Sequence, residues 1–180
     1  MKRIYKILGS NNFDGVKIPG YLYDENSPVF RRLATPKDTS AEWQVIRLER
    51  YYPQLKLKLG DISDFDGFGA HVFTNRAMEV LYPVLEQAGE LLDAYVYEDP
   101  VKVFNALPYI DCLDMDNSIL RDNGPTYTTA LIAEFFPERI DKSIFQVPQV
   151  NYWSTYVTEG FFPPEVEFKA LVETHKLKGI

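Results

Sequence analysis

The residues able to move a proton or hold a metal are few in this chain, and their spacing limits the chemistry they could share. There are two histidines, His71 and His175, and one cysteine, Cys112. Any mechanism that needs imidazole therefore rests on one of the two histidines. His71 closes the Gly-punctuated segment Asp64-Phe-Asp-Gly-Phe-Gly-Ala-His71, where Asp64 and Asp66 would join it in general acid–base work for a small hydrolase or transferase. No nucleophile in a recognisable context accompanies the three, so a packed loop histidine is the expectation for His71. His175 falls near the end of the last helix, where the dipole favours a cation, and reads as a structural or surface residue. Cys112 lies in an apolar run between Ile110 and Leu113 with acidic neighbours, which raise a thiol pKa, so a buried inert thiol is expected.

Nucleotide and metal signals fail on spacing. Gly67 and Gly69 form a G-x-G, but Val72 stands in the place of the third glycine. A P-loop, a G-x-S-x-G elbow and an H-E-x-x-H helix are all absent. Asp61, Asp64 and Asp66 lack the alternation of a calcium loop; Asp114, Asp116 and Ser118 have it but lack the central glycine and the closing glutamate. No metal and no cofactor are expected. Asp111 is expected to brace a turn, leaving Asp114 and Asp116 to water or a partner.

Charge carries more information than the motifs. The 180 residues are 46% hydrophobic and 25% charged, enough for the core of one domain, and net charge is -7. Residues 1–60 hold 11 basic and 6 acidic side chains (+5), and residues 61–180 hold 8 and 20 (-12). Within residues 61–124, 13 acids face 3 bases, giving -10. Such a balance disfavours nucleic acid and suits a basic partner. No apolar run approaches the ~20 residues that cross a bilayer, and Met1-Lys2-Arg3 runs into a mixed segment, not a signal-peptide core. A cytoplasmic chain is expected, and a single cysteine agrees with a reducing compartment.

The elements that must carry these residues read as α+β: a mixed, largely antiparallel sheet with two or three packed helices in a single domain spanning 1–180. Arg3–Leu8 reads as a first strand, and 9–40 as turns and loop, including Asp14-Gly15. Residues 1–60 thus form a loop-rich N-terminal part. Trp43–Tyr52 fits strand or helix, and Leu55, Leu57 and Leu59 alternate with Lys56 and Lys58 as a strand. Thr74 is a candidate N-cap for a helix carrying Ala77, Leu81, Val84, Leu85 and Ala88, in which Pro83 predicts a kink or a second short helix. Leu91–Tyr97 and Val101–Leu107 suggest a hairpin across Glu98-Asp99-Pro100. Thr126–Phe136, Ser143–Val147 and Ser154–Thr158 are further strand candidates, the first helical at its end in one alternative. Pro163-Pro164-Glu165 opens a final helix with a core stripe of Val166, Ala170, Leu171 and Thr174, and the chain stops where a further strand would begin at Lys178-Gly179-Ile180.

The stretch Gly67-Phe-Gly-Ala-His-Val-Phe-Thr-Asn-Arg-Ala-Met-Glu-Val-Leu-Tyr-Pro-Val-Leu-Glu-Gln-Ala-Gly-Glu-Leu-Leu92 resembles the family of bacterial polymorphic-toxin immunity proteins numbered eleven, formerly a domain of unknown function. Phe104-Asn-Ala-Leu-Pro-Tyr-Ile-Asp-Cys-Leu-Asp-Met-Asp-Asn-Ser118 is similar to a further segment of that family, as are Ile144-Phe145, Tyr156-Val-Thr-Glu159 and the closing helix. The resemblance spans roughly residues 64–179; residues 1–60 match it loosely. It implies a cytoplasmic antidote that binds a cognate antibacterial toxin in the producing cell, and it brings no catalytic residues. A toxin that attacks nucleic acid carries a basic cleft, so the acids expected to face it are Asp61, Asp64, Asp66, Glu98, Asp99, Asp114, Asp116 and Asp122. Phe65, Phe68, Tyr95 and Tyr97 are the candidate aromatic anchors beside them. The alternatives are the Asp64/Asp66/His71 hydrolase or transferase, and a structural protein of a secretion system.

Overall fold

A computed structural model describes residues 1–10, 12–20, 29, 43–65, 70–107, 109–122, 128–150 and 154–180. The N-terminal strands are β1 (Arg3–Lys6), β2 (Phe13–Asp14), β3 (Val16–Lys17), β4 (Ile46–Arg50) and β5 (Lys58–Leu59). β6 (Ile62–Phe65) and β7 (Ala70–Thr74) lead into helix α1 (Asn75–Ala88), then β8 (Gly89–Val96) and β9 (Asp99–Ala106). β10 (Ile119–Asp122), β11 (Thr128–Ile132), β12 (Ile144–Phe145) and β13 (Tyr156–Glu159) precede helix α2 (Phe168–Thr174).

The mixed α+β reading holds, but the main sheet is not open. Six strands close a barrel in the order β3-β4-β8-β9-β7-β6. Four of its seams are antiparallel, while β4–β8 and β3–β6 run parallel. The closing strand β3 is two residues long and meets β6 through the single pair Val16↔Phe65, a signal too short for any sequence period to reveal. Period-2 alternation fills the barrel: Leu92, Ala94 and Val96 of β8 and Val101 and Val103 of β9 point inward against Val16, Ile18, Leu48, Phe65 and Val72. Full burial of one such valine, leucine or phenylalanine is worth about 1.5–3 kcal/mol.

Helix α1 lies against the outer wall. Thr74 accepts from the Ala77 N–H at its start, as expected, and Ala77, Leu81, Val84, Leu85 and Ala88 pack with Phe73 and Phe104. Pro83 neither ends the helix nor begins a second one. It stands on the wet face with Glu79, so the carbonyl it leaves unbonded is available to water. The sheet β1-β13-β12 completes this layer. Its alternate residues divide two cores, since Ile144 and Val157 join the α1 cluster while Phe145 and Tyr156 join a third cluster with Cys112, Leu113, Ile140, Val147 and Val150.

Several local expectations change. Asp14-Gly15 is not a loop turn but the junction of β2 and β3, with Asp14 buried under Arg50 Nε (2.8 Å) and the Tyr52 N–H (2.9 Å). The alternating lysines and leucines do not form one strand: Pro53–Leu55 is a 3-10 turn, Lys56 adopts φ 52°, and only Lys58–Leu59 pairs, parallel to β2. Proline at the turn's first position outweighs the alternation. The final helix is also interrupted: Pro164–Val166 is a 3-10 turn, Val166 and Thr174 are exposed, and α2 begins only after Glu167. Glu167 is buried because its carboxylate accepts from Thr158 Oγ1 (3.0 Å), the Gly160 N–H (2.9 Å) and the Phe161 N–H (3.0 Å). Phe168, absent from the expected stripe, is the residue that α2 buries. At the C-terminus Lys178 and Gly179 form no strand but lend carbonyls to the Ile62 and Ser10 N–H groups.

Candidate functional site

The expected partner-facing acids fall into three places. At the first, Asp61 precedes β6 and Asp64 lies within it. The Asp61 carboxylate accepts from Arg76 (2.6 Å) and from the Lys178 N–H (2.8 Å) and is largely buried, so it ties β6 to α1 and the C-terminal segment. Asp64 accepts from the Gly9 N–H (3.0 Å) and lies 3.5 Å from His71 Nδ1. Burial pushes this carboxyl up, but His71, the Gly9 N–H and Lys6 outweigh it and hold the group below the usual aspartate range. A Cβ on Gly9 would fall 2.0 Å from Asp64 Oδ2, so a side chain there would push the carboxylate off the Gly9 N–H. Asp66 and Phe68 lie outside the described residues.

His71 is a strand residue, paired opposite Asp64 across the β6–β7 hairpin, and it is 3% exposed. Its ring nitrogens make no hydrogen bond among the described residues. The imidazole is embedded behind the barrel wall instead of standing in an open loop. Cys112 is fully buried, and burial, with Asp111 adding to it, pushes its thiol up to about 12. That leaves a thiol, not a thiolate nucleophile, at neutral pH. His175 caps α2 at the surface, its carbonyl accepting from Arg76 (3.1 Å).

The second place is the β8–β9 hairpin. Its two-residue connection Tyr97–Glu98 puts Tyr97 at φ 56°, the left-handed region that tight hairpin turns need. Glu98 pairs with Arg47 (2.8 Å) and Asp93 with Lys102 (2.6 Å); Asp99 has no ion pair among the described residues. Tyr95 and Tyr97 are exposed here, with the Arg47 guanidinium 5.7 Å above the Tyr95 ring, whereas Phe65 fills the barrel. Beside them Lys17, Arg47, Arg50, Tyr51 and Tyr97 line an open groove of about 620 Å³. Its cations are matched by Glu49 (3.7 Å), Glu98 (2.8 Å) and Asp14 (2.8 Å), which leaves no excess positive charge to draw an anion.

The third place is the turn before β10, where the expected roles of two aspartates are exchanged. Asp114, not Asp111, braces the turn: it accepts from Asn117 Nδ2 (2.7 Å), the Asp116 N–H (3.1 Å) and the Asn117 N–H (3.2 Å). The Asn117 side chain, with the two backbone donors, holds the Asp114 carboxyl below the usual range. Asp111 instead accepts from Gln149 Nε2. Ser118 Oγ accepts from the Glu134 N–H (2.9 Å), fastening the turn to the segment just after β11. Asp116 and Glu134 are exposed and make no ion pair among the described residues. Asp122 ends β10, and its side chain lies outside the described part.

Between these acids the structure adds what the sequence reading missed. Met115, Ile119, Leu131 and Ile132 are exposed apolar residues on the turn and on β10–β11. Their signal was the unalternated pair Ile119-Leu120 and run Ala130-Leu131-Ile132, which does not say which side is wet. Among the described residues no cluster of three or more His, Cys, Asp or Glu side chains is placed to hold a metal, and no helix is long and apolar enough to cross a membrane. No family model matches this chain, and no curated protein matches it.

Proposed function

We propose that this chain is an immunity protein: a binding inhibitor that occupies a basic surface of a cognate antibacterial toxin in the producing cell and does no chemistry of its own. The observation that carries the reading is the placement of unmatched carboxylates at the surface, with Asp99, Asp116 and Glu134 exposed and without ion pairs among the described residues. In a chain of net charge -7 such groups draw a basic partner and speed its association. The resemblance of residues 64–179 to the immunity family supports the same reading. The rival hydrolase or transferase needs an imidazole that substrate can reach, and His71 is 3% exposed.

Co-expression tests this function. The reading expects a toxin gene beside this one, and cells producing that toxin's C-terminal domain should survive when the chain is supplied in the same cytoplasm. Death at equal toxin levels, with the chain folded and abundant, would sink the proposal. His71→Ala provides the contrast: an inhibitor keeps its protection as long as the variant folds, whereas an enzyme loses turnover.

A further inference from the structure

The outer face of β10–β11, together with Met115, is a place on the described surface where exposed aliphatic side chains lie near unmatched acids. These two strands bond only to each other among the described residues. Their inner face is spent on the third core, through Leu120 and Ala130. The register slips between Ile119 and Leu120, so that Ile119 opposes Ile132 while Leu120 opposes Ala130, and Leu131 is left as an extra residue. The bulge turns both Leu131 and Ile132 outward. Met115, Ile119, Leu131 and Ile132 are 49, 51, 60 and 51% exposed. A two-stranded edge with apolar residues in water invites coverage, and its cost to a soluble chain calls for a function.

We propose that this face is the docking surface for the basic partner, which seats apolar anchors against Ile119, Leu131 and Ile132 and closes a lysine- or arginine-bearing rim over Asp116 and Glu134. The inference rests on the immunity reading and gives it a location. Charge selects the occupant: residues 111–139 carry six acids against Arg121 and Arg139, a balance of -4. A second copy would set like charges against each other around the same patch, so the complement is a basic surface. Preorganisation favours this site as well. Asp114 and Ser118 hold the turn that carries Met115 in one geometry before any partner arrives, which lowers the ordering entropy of binding.

The test measures affinity for the C-terminal domain of the toxin encoded beside the gene, by titration calorimetry with the full chain. Ile119→Asp and Ile132→Asp should each weaken binding by about 30-fold or more, the loss of a hot-spot contact. Glu79→Ala, on the wet face of α1, should change it by less than about 3-fold. Leu131→Ser, at the most exposed of these positions, is the milder variant if an aspartate disturbs folding. Folded apolar-face variants that bind within about 3-fold of wild type would overturn this site while leaving the inhibitor reading intact. Failure of the wild-type chain itself to bind would remove the reading and the site together. Sedimentation showing a wild-type dimer that Ile132→Asp dissociates would assign the face to a second copy and overturn the proposal.

Discussion

Two hairpins in this molecule use the same local geometry for opposite ends. β8–β9 has eight residues in each strand, β4 and β7 as outer neighbours, and inward residues that fill the barrel. Its acids Asp93 and Glu98 are clamped by Lys102 and Arg47. β10–β11 has four and five residues, no third strand among the described residues, a register slip, and isoleucines facing water near Asp116 and Glu134, which make no ion pair among the described residues. The first hairpin has strands bonded on both sides and acids Asp93 and Glu98 held in ion pairs, with Asp99 alone of its three acids near the turn left without one among the described residues, and so serves stability. Among the described residues the second leaves its outer edges, apolar side chains and the Asp116 and Glu134 carboxylates without partners, the incompleteness that the proposed partner would fill.

The largest effect expected from this contrast is on stability. Phe104→Ala in β9 removes a ring buried beneath α1 and set edge-on to Phe73 at 6.0 Å, and should cost about 3–5 kcal/mol in denaturant unfolding. Ile132→Ala should stay within about 0.5 kcal/mol, as a surface substitution does; comparable losses at both positions would erase the distinction. Next comes association rate. Asp116→Lys with Glu134→Lys should slow toxin binding about 10-fold at low salt in stopped-flow mixing, with wild type and variant converging as salt rises, whereas Glu98→Lys should do much less. Third, Thr74→Ala removes the cap of α1 and should lower unfolding stability by about 1 kcal/mol without altering toxin affinity.

The smallest effect is a titration. Asp114 is held below the usual aspartate pKa of about 3.9 by Asn117 and two backbone donors. A carboxyl lowered in the folded state contributes stability that is present above its unfolded pKa and is lost as pH falls through the folded one. Carbon-detected NMR should therefore find the Asp114 midpoint below the ordinary range. Asn117→Ala should raise it, and the turn should loosen only below about pH 4. A midpoint unmoved by Asn117→Ala would detach the turn's order from that side chain.

Legibility in the sequence tracked the length of each periodic signal. α1, its Thr74 cap, the β8–β9 hairpin and the burial of Cys112 were readable because each rests on several residues in register or on a strong local preference. The barrel was not, because its closure depends on β3, two residues long, and on parallel pairings between segments distant in sequence. Lys56 and Glu167 show a second limit: a left-handed turn and a buried carboxylate overrode the alternation and the helical stripe that ran across them. For the candidate site, composition located the acids but not their partners. It could not show that Arg76 takes up Asp61, that Asn117 donates to Asp114, or that Ile119 and Ile132 face outward.

Amide hydrogen exchange of the chain, free and bound to the toxin domain, compares the two hairpins in one experiment. In the free chain the amides of β10–β11 should exchange far faster than those of β8–β9, whose strands are bonded on both sides. On binding, protection should rise across Met115–Asp122 and Thr128–Glu134 while β8–β9 stays as it was. Protection that instead gathers at Tyr97–Asp99, with β10–β11 unchanged, would contradict the account.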